Sequence, residues 1–244
     1  MTEGRSTYQQ LQNDLRKVIQ AAPKGTKLPS EPDLAKDLGV SRATLREAMR
    51  TFESQGLLKR HQGLGTFVVG PTQVIDTGLE ALESIETQAK RSGLDVIMGD
   101  HHIEHIEAAP EHAEKLNLSH GDPLIKISRV ILTNGSPAAY LIDIFPEGLI
   151  NQSTLYEQFS GSLLDLMLET GKPSLAMSKT EISAVQAPGD VSKALHIQRG
   201  DTLLLLNGLL FDKDGIPIDI SYSYFLPGYF RLHIIRKIGG VKAP

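Results

Sequence analysis

Arg42, Arg46 and Arg50 recur every four residues behind Ser41 and Thr44, so in a helix the three guanidinium groups share one face. That combination suits nucleic acid. A helix N-terminus attracts phosphate through its unpaired amides, and arginine pairs bidentately with guanine in the major groove. Ser41 supplies a hydroxyl able to cap the first turn. Leu45, Ala48, Met49 and Phe52 recur at three- and four-residue spacing, the stripe by which a helix buries itself in a core. A solvated charged face on a core helix carries the same pattern, and the flanking elements decide for DNA.

Other chemistry is poorly supported. Asp100-His101-His102-Ile103-Glu104-His105-Ile106-Glu107 holds residue types that could ligate zinc or nickel. In an extended segment His101 and His105 share one face while His102 and Glu104 share the other, so no metal is expected. Cysteine is absent, which excludes thiolate sites, disulfides and a cysteine nucleophile. No Gly-x-Ser-x-Gly elbow, His-Glu-x-x-His or phosphate-binding glycine loop occurs, so the expectation is no catalytic residue and no cofactor. Without a secretory leader or an apolar run long enough for a bilayer, the expected location is the cytoplasm, with no membrane partner.

The elements that position the arginines follow from the first seventy residues. Tyr8, Leu11, Leu15, Val18 and Ile19 make one helical stripe, ended by Pro23-Lys24-Gly25-Thr26. Lys27-Leu28 reads as extended before Pro29. Ser30 is a second cap, with Pro32 in the first turn and Leu34, Ala35 and Leu38 buried. Gly39-Val40 then turns into the basic helix, which gives a helix-turn-helix whose second helix enters the major groove. Gln55-Gly56 ends that helix. Leu57–His61 and Thr66–Val69 read as strands joined by Gln62-Gly63-Leu64-Gly65, a hairpin whose glycines let the backbone approach DNA closely.

Leu28-Pro29-Ser30-Glu31, Val40-Ser41-Arg42-Ala43-Thr44-Leu45-Arg46-Glu47-Ala48 and Gly63-Leu64-Gly65-Thr66-Phe67-Val68 together closely resemble the GntR-type winged helix-turn-helix. The resemblance implies that Ser41, Arg42, Thr44 and Arg46 are recognition-helix contacts and that Gln62 and Gly63 are wing contacts, with Gly65 in the same hairpin. Pro32 stands where that family usually has a DNA-contacting arginine, which implies the loss of one contact.

Residues 1–70 hold 11 Lys/Arg against 7 Asp/Glu, and the remainder holds 14 against 22. A basic head on an acidic body is the pattern expected of a polyanion-binding module joined to another domain. The boundaries are read as 1–70 for the head, 71–77 for a linker and 78–244 for the second domain. The second domain repeats itself: Ala113–Leu124 resembles Val191–Leu203, and in each copy a short helix meets a Gly-Asp turn. Strands Ile125–Leu132 or Leu204–Phe211 follow, then a turn, then Ala138–Phe145 or Ile218–Phe225. A helix at Ser162–Thr170 joins the halves. Two related hairpins predict one antiparallel sheet with pseudo-twofold symmetry and a cleft between its halves, an α+β fold.

In this order and position the repeat resembles the UTRA domain, the chorismate lyase-like sensing half of HutC-branch GntR regulators, which binds a small metabolite, often an anion. By that resemblance Arg129 matches the first arginine of an Arg-x-Arg strand motif, Asp219 an acidic position of the second copy, and Ser84 a hydroxyl that supports an anion. Ile131 and Leu141 replace a second arginine and a glutamate, which implies a smaller or less charged ligand than an aminosugar phosphate. Arg129 could equally pair with Asp143 or Asp219 across the sheet. Tyr222 and Tyr224 share a strand face, either packing in the core or orienting a ligand through their hydroxyls.

These readings predict a homodimeric repressor that binds double-stranded DNA at a palindromic operator and answers to a small-molecule effector of unknown identity. A repressor with a vestigial pocket and a DNA-tethered enzyme are the alternatives.

Overall fold

The computed structural model describes residues 3–54, 56–61, 63–69 and 75–236. The chain divides into two compact units, one running to Val74 and including Leu226–Tyr229, the other comprising Ile75–Phe225 and the residues from Phe230 onward.

The first unit contains α1 (Glu3–Ala21), α2 (Glu31–Asp37), α3 (Arg42–Ser54), β1 (Leu58–His61) and β2 (Gly65–Val68). Leu11, Leu15 and Ile19 of α1, Leu34 and Ala35 of α2, and Leu45, Ala48, Met49 and Phe52 of α3 form its core with Leu28, Leu58 and Val68. The apolar stripe of the basic helix is thus the buried face. β1 and β2 pair antiparallel, with Lys59 opposite Phe67 and His61 opposite Gly65. Lys27 bridges to Phe67, and the Leu28 amide donates to Thr66 O at 2.8 Å. The Lys27-Leu28 segment therefore lies along the hairpin as a short third strand. Gly63 at φ +76° and Gly65 at φ +113° occupy backbone conformations that a side chain disfavours.

The second unit is a six-stranded antiparallel sheet with helices on both faces. Its elements are β3 (Ile75–Gly78), α4 (Ile85–Arg91), β4 (Val96–Glu107), α5 (Pro110–Leu116), β5 (Pro123–Thr133), β6 (Ser136–Pro146), α6 (Gln152–Gln158), α7 (Leu163–Thr170), β7 (Leu175–Gln186), α8 (Gly189–Ala194), β8 (Thr202–Asp212), β9 (Pro217–Phe225) and β10 (Phe230–His233). The sheet order is β4-β5-β6-β9-β8-β7, and β3 pairs separately and in parallel with β10. Residues 75–77, read from the sequence as the end of a linker, belong to β3. Residues 70–74 lie outside the described residues.

The internal repeat is physical. Asn117 and His196 both take left-handed φ, 55° and 56°. Asp122 accepts from the Ser119 amide as Asp201 does from that of Gln198. Ala108 N–H donates to Asp122 O as Ala187 N–H donates to Asp201 O. The halves join through β6 and β9, where Leu141 faces Ser223, Ile142 faces Tyr222 and Asp143 faces Ser221. That register is symmetric about the Ile142–Tyr222 pair. α5 packs on β9, and α8 packs on β6, so each half supplies the helix that covers the other half's inner strand.

Strand alternation sorts the side chains between the two faces. On one face Ile125, Ile127 and Phe145 pack with Leu155, Leu163, Leu166 and Met167 from α6 and α7. Toward the other end of that face Ile131, Ala139, Leu141 and Phe225 pack with Ile85 and Phe230. Between these apolar clusters the strands present Arg129, Asp143 and Asp219, all buried, together with Ser221 and Ser223.

Candidate functional site

The N-terminal unit gathers a basic groove. Ser41 caps α3, its hydroxyl accepting from the Thr44 amide at 3.1 Å and contacting Thr44 Oγ1 at 2.7 Å. Arg42 and Arg46 are exposed on the solvent side of the helix. With Lys27, Arg60, Gly63, Leu64 and Gly65 they line one open concavity, at whose edge Pro32 also lies. Glu31 lies within it. Its Oε2 accepts from Arg46 Nε at 3.1 Å and Nη2 at 2.7 Å, and its Oε1 accepts from Arg60 Nη2 at 2.6 Å. The hydrogen bond from Arg46, assisted by the surrounding arginine charges, holds the Glu31 carboxyl below the usual carboxylate range. Arg50 is drawn aside to Glu47 at 3.0 Å. Gln62 lies outside the described residues. The sequence reading missed Lys27 and Arg60, although a lysine before Leu-Pro-Ser-Glu and a basic run entering a glycine hairpin were both visible.

The second unit holds a cavity of about 130 Å³ beneath α4 and α7, lined by Arg129, Asp143, Asp219, Glu86, Ser84 and Ser221 among others. Beside it a larger space of about 500 Å³ is lined by apolar and small polar residues from β7, β8, β9, β10 and the β3–α4 region. Arg129 Nη1 forms an ion pair with Asp143 Oδ2, and its guanidinium lies 5.7 Å from the Phe159 ring centre. Of the two acids considered as its partner, Asp143 takes the ion pair. Asp219 instead accepts from the Ile144 amide, and burial followed by the nearby Asp143 pushes its carboxyl well above the usual range. Burial likewise raises Glu86. Arg129 Nε, Asp219 Oδ1 and Glu86 Oε1 are buried without a hydrogen-bond partner.

Two expected ligand residues have other duties. Ser84 caps α4 by accepting from the Thr87 amide at 2.9 Å, and donates to Asp165 Oδ2 at 2.6 Å. It lines the cavity, but its hydroxyl is already engaged. Tyr222 is not brought together with Arg129, Asp143 and Asp219. Alternation along β9 puts it on the opposite sheet face, where Lys115 Nζ lies 5.7 Å from its ring centre and its hydroxyl donates to Glu111 at 3.4 Å. Glu86, Ser221 and Ser223 were missed. The alternating Asp219-x-Ser221-x-Ser223 was a readable sign of a polar strand face, whereas nothing in the sequence distinguished Glu86.

The histidine-rich strand β4 splits as alternation requires. His101 lies opposite Arg129 and His102 opposite Ser128. His105 contacts Glu147 at 3.1 Å and Tyr156 at 3.3 Å. Among the described residues no three His, Asp or Glu side chains converge on a metal position, and no helix is long and apolar enough to cross a membrane.

A capped basic helix beside a glycine-tipped wing, carried in one chain with a symmetric sheet that borders a polar cavity, is the arrangement of a DNA-binding transcription regulator. The gntR family of bacterial regulatory proteins matches residues 4–68, and the UTRA domain matches residues 92–231. The chain belongs to the GntR regulators that carry a UTRA domain, of the HutC type. It is 29% identical over 203 residues to the HTH-type transcriptional repressor NagR of Bacillus subtilis, spanning 81% of this chain and 80% of that protein. It is also 29% identical over 193 residues to the histidine utilization repressor of Pseudomonas aeruginosa, spanning 76% and 73%. The crystal structure of PhnF from Mycobacterium smegmatis shares the fold, with a TM-score of 0.62 at 20% identity over 93% of this chain and 99% of that one.

Proposed function

We propose that this regulator is a repressor whose affinity for its operator falls when a small molecule occupies the cavity over β5, β6 and β9. The observation that carries this reading is the polar centre of Arg129, Asp143 and Asp219. It is buried, it retains unpartnered atoms, and it borders empty space. Desolvated polar atoms without partners cost free energy, and a ligand that completes them recovers it. A stability-driven fold has no reason to keep such atoms beside a cavity.

On the DNA side, Arg42, Thr44 and Arg46 read the major groove while Gly63, Gly65 and Gln62 approach the backbone or minor groove. Ser41 acts as the cap that orients them. One head covers a half-site, so two copies on a palindrome make the working species, a cytoplasmic homodimer without a bound cofactor. The effector alters affinity only by binding one arrangement of the two heads better than another.

The test is thermal melting of the purified protein against a metabolite library of sugar phosphates, amino acids, carboxylates, amines and nucleosides, since a ligand of the folded state raises the melting temperature. Each hit is then tested for release of the protein from its promoter fragment. Stabilisation with release supports effector control, and a flat screen with intact operator binding sinks it.

A further inference from the structure

We propose that the head group accepted by this cavity is cationic, an ammonium or amidinium carried on an apolar body, in place of a phosphate or carboxylate. The inference rests on the sensor reading above and deepens it. Among the described residues that line the two adjoining cavities, Arg129 is the only basic side chain. Of the acids there, Glu83 is paired with Arg91 and Glu80 is exposed and accepts from the Ile235 amide, which leaves Glu86, Asp143 and Asp219 at the inner cavity. The charge of Arg129 is already answered by Asp143. An entering anion finds only the unpartnered Nε–H of Arg129, and it would lie beside Asp143, Asp219 and Glu86 unless these acids took up protons. Unpaired buried charge is strongly unfavourable.

A cation meets the opposite situation. Asp219 Oδ1 and Glu86 Oε1 are closed to solvent and lack any donor, and Asp219 is only 4% exposed. The N–H groups of a cationic head are the donors such oxygens lack, and the head brings positive charge beside them. The inner space of about 130 Å³ is close to the ~150 Å³ cavity known to hold benzene, so the head and a few carbons fill it. The larger space beside it takes the rest of an apolar body against Leu206, Phe225 and Phe230.

Binding is coupled to protons. The charged groups around the inner cavity are Arg129 from β5, Asp143 from β6, Asp219 from β9, Glu86 from α4, beside Asp165 of α7, and Glu83 just before α4, which is paired with Arg91. Burial favours the neutral forms of Asp219 and Glu86 in the empty cavity. A cation favours their ionised forms, so it expels protons, and an anion would draw them in.

The experiment titrates the full chain with benzylamine, benzamidine, benzyl alcohol, benzoate and benzylphosphonate, which share one ring and differ in head group. Affinity is read by calorimetry in two buffers of different ionisation enthalpy, and stability by melting. The expected result is stabilisation by benzylamine and benzamidine with proton release, and none by the two anions. Asp219→Asn lowers benzylamine affinity about tenfold or more, Glu86→Gln lowers it less, and benzyl alcohol is unaffected by either. Both variants are near-isosteric, and a melting curve checks their folding. Stabilisation by the anions alone, with proton uptake, overturns the cationic assignment while leaving the sensor reading intact. The cationic assignment is overturned in the same way if every probe fails but an anionic library metabolite releases the operator, whereas release by an amine upholds it. If no metabolite releases it either, the sensor reading falls as well.

Discussion

Glu31 and Arg46 are joined by two hydrogen bonds to one oxygen, while the other oxygen of the same carboxylate holds Arg60. A side chain of α3 and a side chain of the hairpin are therefore held by a single acid at the start of α2. That acid lies among the cations that DNA must approach, so it trades general attraction for orientation. Glu31→Gln should raise affinity for scrambled duplex and narrow the ratio of specific to nonspecific binding by about tenfold, because Arg46 loses its fixed direction while the groove gains net positive charge. Fluorescence anisotropy with operator and scrambled duplex at several salt concentrations reads both quantities. An unchanged ratio would mean that Glu31 does not orient Arg46 on DNA.

Arg46 and Lys27 line the same groove but should fail differently. In the proposed reading Arg46 pairs bidentately with a base, so Arg46→Ala should cost about 1–3 kcal/mol on operator DNA with little effect on scrambled duplex. Lys27→Ala removes a flexible point charge beside the backbone path. It should weaken both duplexes alike and flatten the salt dependence by about one counterion. Equal losses from Arg46→Ala on both duplexes would reduce Arg46 to a phosphate contact.

What the sequence disclosed follows from the range of the forces involved. The capped helix at Ser41, the glycine-tipped hairpin and the paired repeats depend on local periodicity and turn chemistry, and these were readable. Strand β7, the helix at Gln152–Gln158 and the order in which β6 meets β9 depend on tertiary packing. The mostly exposed β7 lacks the alternation of a half-buried strand, so nothing announced it. The placement of Tyr222 away from Arg129, Asp143 and Asp219 was hidden for a related reason. The spacing of Tyr222 from Tyr224 was legible, but which sheet face the pair occupied was fixed only by the register of Ile142 against Tyr222. The choice of Asp143 over Asp219 as partner of Arg129 was likewise a matter of cross-strand geometry.

That choice yields a stability prediction. Arg129 and Asp143 are both buried, so removing one leaves the other without its counter-charge. Arg129→Met alone should destabilise the second unit by about 3–5 kcal/mol, and Asp143→Leu alone by a similar amount. The double variant, in which no buried charge is orphaned, should recover most of that loss. Urea unfolding of all four proteins measures the cycle, and additive losses would show that the pair is not energetically coupled.

Asp219 sets a pH dependence whose sign can be worked out. Its carboxyl is raised in the folded chain by burial first and by Asp143 second, so between about pH 4, where an ordinary aspartate titrates, and its folded value the native state holds a proton that the unfolded state has lost. Stability tied to this group is fully present below the ordinary value and declines as pH rises through the folded one. Glu86, raised by burial, tilts the curve in the same direction. Asp219→Asn cannot ionise and keeps nearly the same shape, so it should melt higher than the parent at neutral pH. The advantage should shrink as pH falls and vanish near pH 4, leaving only the shallower slope that Glu86 contributes. Melting curves across pH 3.5 to 8 test this, and a variant less stable than the parent at neutral pH would show that Asp219 is held ionised by the Arg129 charge.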